Sequence, residues 1–213
     1  ALGFNQFSTH PALSFFATPG VGMAIWLALK TGLIATVLSL LCCFIILTGL
    51  MHDRKFSLLR RALGALVAVP HSAIAIGLVF LLAPSGWLMR ILSPGITGFD
   101  SPPDWSLVPD PYGWALIFGL MAKEIPFLLM VSLAAIATLP VRQFEQIANS
   151  LGYGHVAAWT TLILPLVYQQ IRLPVFAVLV FSLSVVDMAL LLAPTLPPPL
   201  AILVLNGFLD ADL

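Results

Sequence analysis

The sequence predicts an all-α fold, a polytopic membrane helix bundle, and three observations lead to that class. Hydrophobic residues make up 60% of the 213-residue chain and charged residues 8%, whereas soluble domains are about 25% charged. Four apolar stretches are long enough to cross a bilayer as helices, for which about 20 residues are needed. These stretches are continuous rather than alternating, which argues against a transmembrane β-barrel.

The four predicted spans cover residues 23–51, 62–83, 113–138 and 173–193. The first has no charged residue over 31–51, and its earlier part places Trp26 and Lys30 at the lipid headgroups. Pro70 in the second span and Pro126 in the third predict kinks, because proline lacks the N–H of a helical hydrogen bond. After the fourth span, a proline-rich segment leads to an apolar run that is too short to span and predicts a surface helix.

The three connections between the spans differ in charge, and this difference predicts the orientation of the chain. The first connection (52–61) and the third (139–172) contain six of the nine Lys and Arg residues. These six are Arg54, Lys55, Arg60, Arg61, Arg142 and Arg172. The second connection (84–112) contains one basic residue, Arg90. Because Lys and Arg are concentrated in cytoplasmic loops, the first and third connections are predicted to face the cytoplasm.

The third connection predicts a hairpin of two short helices. An amphipathic segment, Val141–Ser150, forms the first helix, and Gly152 and Gly154 end it because glycine readily adopts the left-handed conformation at a helix C-terminus. The second helix runs over 155–164, and Pro165 is predicted to end it. Such a hairpin on the cytoplasmic face is a surface that a soluble partner can bind.

The spacing within the hairpin forms a motif. Gly152 is followed by nine residues and then by Leu-Ile-Leu-Pro at 162–165, and Ser-Leu precedes it. In this spacing the chain resembles the EAA loop (E-A-A, three residues, G, nine residues, I-x-L-P) of the binding-protein-dependent, MetI-like ABC transporter permeases. The matching positions, which the resemblance makes candidates for an ATPase-coupling loop, are Glu145, Ala148, Ser150, Leu151, Gly152, Leu162, Leu164 and Pro165.

The resemblance covers residues 20–213. Pro70 is similar in position to the proline of the family's second core helix, and the run E-I-P-F at 124–127 is similar to its Leu-Pro-Phe pattern. The chain departs from the motif at Gln146 and Ile147, where the family usually has Glu and Ala. With Gln146 and Ile147 in place of Glu and Ala, the hydrogen bonds at this point of the loop are expected to differ from those of the family.

The resemblance implies a multi-pass permease subunit of an ATP-driven ABC importer in a bacterial inner membrane, with its solute undefined. The implied partners are a cytoplasmic ATP-binding cassette subunit, an external solute-binding protein, a second permease half and the lipid bilayer. The partner subunit would bind ATP, since the chain has no G-x-x-x-x-G-K-S/T run. We therefore expect no enzymatic activity, cofactor or metal here, and, without a basic stripe, no nucleic-acid partner. The expected organisation is one permease module, 1–213, cut before its last span, such as one module of a fused double permease.

Besides Lys30, which is placed at the headgroups, three charged residues fall within the predicted spans: Lys123, Glu124 and Asp187. Charges are costly in the hydrocarbon, so such residues usually face a cavity or a partner. One hypothesis places them, with His71 and Pro126, along the translocation path or its gate. The alternative is a structural ion pair between Lys123 and Asp187, which would join the third and fourth spans.

Two functions from other classes compete with the permease. An intramembrane enzyme would use Asp187, Glu124 or His71, but the chain has no paired-carboxylate motif, no H-E-x-x-H and no G-x-S-x-G. An ATP-independent secondary transporter would use the intramembrane charges as a proton relay. ATP dependence distinguishes this transporter from the ABC importer.

Overall fold

The computed structural model describes residues 15–51, 54–93, 95–96, 98, 100, 108 and 110–209. These residues form helices and contain no strand. The helices are α1 (Val21–Leu50), α2 (Arg54–Ala68), α3 (His71–Leu82), α4 (Trp87–Leu92), α5 (Trp114–Ala137), α6 (Val141–Ser150), α7 (His155–Ser184), α8 (Asp187–Leu192) and α9 (Leu200–Leu209). Over Trp159–Ile163, α7 contains a π turn.

Four helical segments of the described chain are long and apolar enough to cross a membrane: Val21–Leu50, His71–Leu92, Trp114–Ala137 and His155–Ser184. The predicted fold class, a bundle of membrane helices, is confirmed. The boundaries of the second and fourth segments differ from the predicted spans, and two breaks in the helices account for both differences.

Helices α1, α5 and α7 pack against one another at the centre of the bundle. The face of α1 that meets the other two carries small residues, which allow helix axes to approach closely in a membrane. These are Ala24, Ala28, Gly32, Ala35, Ser39 and Cys43. A Cβ on Gly32 would lie 2.8 Å from Leu183 Cδ2, so a larger residue there would displace the Leu183 side chain at the contact between α1 and α7. The opposite face of α1 exposes Val37, Leu41 and Ile45, as expected of a surface that meets lipid.

The first break lies at Val69 and Pro70. A continuous span over 62–83 with a kink was predicted, but α2 ends at Ala68 and α3 begins at His71. Pro70 has an extended backbone, with φ −60° and ψ 147°. The proline cannot donate a backbone hydrogen bond, and its ring disfavours a helical conformation of the residue before it. The two effects together end the helix instead of bending it.

The second break separates α7 from α8. Helix α7 ends at Ser184, and Val185 is extended, with ψ 128°. Asp187, predicted to lie within a fourth span over 173–193, is instead the first residue of α8. The fourth long helix therefore lies earlier in the chain than predicted, and its first half occupies what was expected to be part of the loop.

Pro165 does not end a helix, contrary to the prediction. Helix α7 continues through it because the preceding turn is a π turn, in which the Leu164 N–H bonds to the carbonyl of Trp159, five residues earlier. The wider turn puts Pro165 in the first turn of a new α-helical segment, where proline is tolerated. The other predicted kink site, Pro126, lies inside α5, which stays helical on both sides of it.

The start of α5 is held by a side chain from the preceding loop. The carboxylate of Asp110 accepts hydrogen bonds from the backbone N–H groups of Tyr112 (3.1 Å), Trp114 (2.9 Å) and Ala115 (2.7 Å). The first N–H groups of a helix have no partner within it. Asp110, itself buried, supplies that partner.

Candidate functional site

The predicted coupling loop consists of α6, a tight turn and the start of α7. Helix α6 ends in a Schellman motif, in which the Tyr153 N–H bonds to the Ala148 carbonyl and the Gly152 N–H to the Asn149 carbonyl, both at 3.0 Å. Gly152 has a φ of +82°, a left-handed conformation that side chains disfavour. The turn direction of the hairpin therefore depends on this glycine.

One carboxylate joins the two helices of the hairpin. Glu145 Oε1, on α6, accepts a 2.6 Å hydrogen bond from Trp159 Nε1 on α7. The Trp159 side chain is fully buried against the bundle, and the Glu145 side chain is 16% exposed. Glu145, one of the candidate residues of the coupling loop, thus stabilises the hairpin from inside.

The hairpin also contacts the end of α1. His155 Nε2 lies 2.9 Å from the Thr48 carbonyl oxygen, and His155 Nδ1 lies 3.6 Å from Glu145 Oε1. Sequence reasoning assigned no role to His155 or Trp159. The contacts of both depend on how the hairpin folds back, and that geometry has no sequence pattern of its own.

An exposed apolar surface covers the turn of the hairpin. Ile147, Leu151, Tyr153 and Val156, named the loop patch below, are each between 56% and 69% exposed. Of the other predicted loop residues, Ala148 and Leu164 are buried, while Ser150, Leu162 and Pro165 are exposed. The motif positions therefore divide into residues that pack the hairpin onto the bundle and residues that present a surface.

The π turn of α7 lies directly between the loop patch and the bundle. Two threonine side chains bond to the backbone carbonyls of the preceding turn: Thr160 Oγ1 to Val156 O at 2.9 Å, and Thr161 Oγ1 to Ala157 O at 2.6 Å. π turns leave some carbonyls without their usual helical partner and are common at functional sites.

A second group of polar residues lies within the membrane-spanning helices. Lys123 Nζ donates hydrogen bonds to the backbone carbonyls of Val67 and Val69, both at 2.7 Å. These carbonyls lie beside the break at Pro70, where they lose helical partners. Although the structure describes both Lys123 and Asp187, it shows no ion pair between them, and Asp187 is exposed. The hypothesis of an ion pair between Lys123 and Asp187 was wrong: the lysine instead donates hydrogen bonds to carbonyls at the end of α2.

Glu124 connects α5 to α7 and lies beside α1. Its side chain is 4% exposed, and its Oε1 accepts a short hydrogen bond from Ser182 Oγ on α7. Among the described residues, its Oε2 has no hydrogen-bond partner, and neither has the Oγ of Ser39, which lies beside it on α1. Unpaired polar atoms are costly in a membrane interior.

A cavity of about 260 Å³ opens beside this group, lined by His71, Lys123 and Glu124 among apolar side chains. The His71 ring lies 4.6 Å from that of Phe181, another lining residue. Three of the five residues predicted for a translocation path are thus brought together. The other two, Pro126 and Asp187, do not line this cavity.

No protein-family model matches the chain. A comparison with known proteins does find a relative: over 209 residues, 95% of this chain, the sequence is 30% identical to the inner membrane ABC transporter permease protein YnjC of Escherichia coli. The similarity is to an ABC transporter permease. This chain spans 39% of the length of that permease. The predicted localisation, a multi-pass protein of the inner membrane, is confirmed by the similarity together with the four long apolar helices.

Proposed function

We propose that the chain is a membrane permease subunit of an ABC importer and that its α6–α7 hairpin receives force from a cytoplasmic ATP-binding subunit. The observation that carries the proposal is the loop patch, displayed on a hairpin that is braced from inside by Glu145 and Trp159. The similarity to an inner membrane permease over 95% of the chain supports the same class. The importing direction, the ATPase partner and the EAA assignment of the loop are parts of this proposal.

The construction of the hairpin suits a rigid lever. Helix α7 has 30 residues and is about 45 Å long at 1.5 Å per residue, whereas the hydrocarbon core is about 30 Å thick. Its first turns therefore extend beyond the core and carry the hairpin with them. Since α7 is continuous from His155 to Ser184, a displacement of the hairpin is passed directly into the bundle.

In this proposal ATP is bound and hydrolysed by the partner subunit, and the chain supplies the solute path and its gating. Coupling requires that the partner contacts the loop patch differently before and after ATP binding, because only differential contacts shift a conformational equilibrium. An external solute-binding protein and a second permease half would complete the path. The cavity lined by His71 and Glu124 is the candidate lining of that path.

Co-purification with the cognate ATP-binding subunit tests the proposal. In the full-length protein, Leu151→Asp places a charge in the loop patch without altering the turn glycine. We expect the wild type to retain the subunit and this variant to lose most of it. The matched control is Leu196→Asp, since Leu196 is also highly exposed but lies outside the hairpin. Equal retention by both variants, or no retention by the wild type, would contradict the proposal.

An ATP-independent secondary transporter is the second candidate, and the intramembrane cavity is the observation that favours it. His71, Lys123 and Glu124 all border that cavity, and ionisable residues inside a membrane commonly mark ion or proton pathways. Lys123 is already engaged by two backbone carbonyls, which leaves His71 and Glu124 for such a relay. Transport by sealed vesicles that persists without ATP but stops when the proton gradient is dissipated would favour this candidate.

A further inference from the structure

A hydrogen bond between His155 and Thr48 joins the hairpin to α1. The docking of a partner on the loop patch does not require this bond. His155 Nε2 and the Thr48 carbonyl oxygen are 2.9 Å apart, although the residues are 107 positions apart in sequence. A carbonyl only accepts hydrogen bonds, so Nε2 carries the hydrogen and donates it. Thr48 lies in the last turn of α1, where carbonyls lack partners within the helix. The histidine therefore fills a position that the end of α1 leaves open.

The same imidazole ring is held by the interior of the hairpin. Its Nδ1 lies 3.6 Å from Glu145 Oε1, the oxygen that accepts the 2.6 Å bond from Trp159 Nε1. The rings of His155 and Trp159 also lie close, with centroids 5.8 Å apart. The three side chains form one connected group, and His155 is the member of it that reaches α1.

This group is expected at the edge of the hydrocarbon core on the side of the loop patch, because Thr48 lies about 27 Å along α1 from Lys30, which the sequence places at the opposite headgroups. Helix α1, like α7, has 30 residues, so it is also about 45 Å long and exceeds the hydrocarbon core. The last turn of α1 and the first turn of α7 meet at His155, and Val156 of the loop patch is the next residue. A force applied to the patch therefore acts one residue away from the link to α1.

We propose that His155 is a positioning residue that ties the hairpin to α1, so that a displaced hairpin moves α1 together with α7. Helix α7 follows the hairpin through its covalent backbone, whereas α1 follows it through non-covalent contacts: its packing against α7 and, beside the loop patch, this directional hydrogen bond. The proposal rests on the proposed function and extends it to a second spanning helix. It predicts that docking and transmission of force can be separated by mutation of a single side chain.

Three variants isolate the contact. His155→Phe keeps an aromatic ring beside Trp159 but removes the donor to Thr48. His155→Gln replaces the donor with a side-chain amide that can reach the same carbonyl. Thr160→Val is the matched control, because the Thr160 hydroxyl bonds to carbonyls of its own helix and its removal leaves the link to α1 intact.

The first measurement is the distance distribution between nitroxide labels at Leu50 and Gln143, two exposed positions, by pulsed electron spin resonance on the full-length protein in nanodiscs. Loss of one hydrogen bond should raise the population with a detached hairpin roughly fivefold in His155→Phe. We expect His155→Gln and Thr160→Val to keep the narrow wild-type distribution. A wild-type distribution in His155→Phe overturns the proposal, and no partner is needed to reach that result.

The second measurement adds the ATP-binding subunit, with and without ATP plus vanadate. We expect His155→Phe to retain the subunit as the wild type does. The label distance should stay constant on ATP binding in the wild type and change in the variant, since without the hydrogen bond the end of α1 follows the hairpin less closely. Loss of the subunit from His155→Phe would instead assign His155 to the docking surface and overturn the proposal. A wild type that never retains the subunit refutes the proposed function, while the first measurement still decides whether His155 ties the hairpin to α1.

Discussion

Pro70 and Pro165 both lie in segments that the sequence predicts to be at least partly helical, yet a helix ends before Pro70 and a helix continues through Pro165. Helix α2 ends two residues before Pro70, and Lys123 Nζ donates to the carbonyls of Val67 and Val69 beside the break. Helix α7 instead continues through Pro165, after a π turn that widens the helix. The same residue type gives a break in one place and a continuous helix in the other.

The difference lies in the backbone around each proline and in the side chains that donate hydrogen bonds to nearby carbonyls. At Pro70 the donor is a charged side chain from another helix. At the turn before Pro165, the local hydroxyls of Thr160 and Thr161 bond to carbonyls of their own helix. In a membrane no water is present to satisfy the carbonyls beside Pro70, so a donor from another helix is needed there. The predictions below test this comparison through donor or acceptor side chains at helix ends and turns.

The largest effect is expected at Lys123. Lys123→Met removes a charged donor from two carbonyls and should lower the free energy of unfolding by roughly 2–4 kcal/mol, since hydrogen bonds to charged groups are worth about 1.5–3 kcal/mol each and neighbouring losses are not additive. Reversible unfolding of the purified protein in mixed micelles measures this change. Lys30→Met is the control, because Lys30 contacts only the Tyr112 ring face at 5.9 Å among the interactions described and should cost about 1 kcal/mol or less. Equal decreases in the free energy of unfolding of the two variants would contradict the role assigned to Lys123.

An intermediate effect is expected at Asp110, which completes a helix start rather than a helix end. Asp110→Ala leaves three N–H groups at the start of α5 without their acceptor and should cost about 1–2 kcal/mol, as for other N-terminal caps. The same unfolding assay applies. Asp100→Ala, at an exposed position, should change stability by about 0.5 kcal/mol or less, and a comparable loss there would contradict the capping role.

The smallest effect is expected in the π turn. The double variant Thr160→Val, Thr161→Val removes the hydroxyl hydrogen bonds to the carbonyls of Val156 and Ala157 and should cost about 1 kcal/mol or less, because hydroxyl bonds to the preceding turn are weakly stabilising at best. Ser184→Ala is the comparison, since Ser184 makes the same kind of bond to Val180 O outside a π turn. If the threonine pair costs no more than Ser184, the π turn does not depend on its hydroxyl donors.

Much of the fold follows from local patterns that the sequence displays. The number of long apolar helices, the bounds of α6 at Val141–Ser150 and the glycine turn after it all match the predictions. Each depends on residues that are close in sequence: an apolar run, an amphipathic period, or a glycine with a left-handed backbone. These patterns predict the folded structure because each one determines the conformation of its own segment without contacts from distant residues.

The remaining features depend on partners far apart in the chain. The break between Ser184 and Asp187 falls within residues 175–193, which contain no proline or glycine to mark it. Lys123 could not be assigned to the Val67 carbonyl, because a backbone acceptor 56 positions away has no sequence pattern. The ion pair predicted for it used side-chain charge alone and missed the backbone carbonyls that Pro70 releases.

The adjacent charges of α5 also bear on the order in which the chain is made and inserted. A lysine or a carboxylate at the centre of an inserting helix costs about 2.5–3.5 kcal/mol, and translation proceeds from the N-terminus. The acceptors of Lys123 lie beside the end of α2, which leaves the ribosome before α5. These hydrogen bonds can therefore offset the free-energy cost of the lysine as soon as α5 enters the membrane. Glu124 bonds to Ser182 of α7, which is synthesised later. During biosynthesis, α5 is therefore expected to remain beside the translocon until α7 arrives, and truncation before Ser182 should leave it only partly integrated.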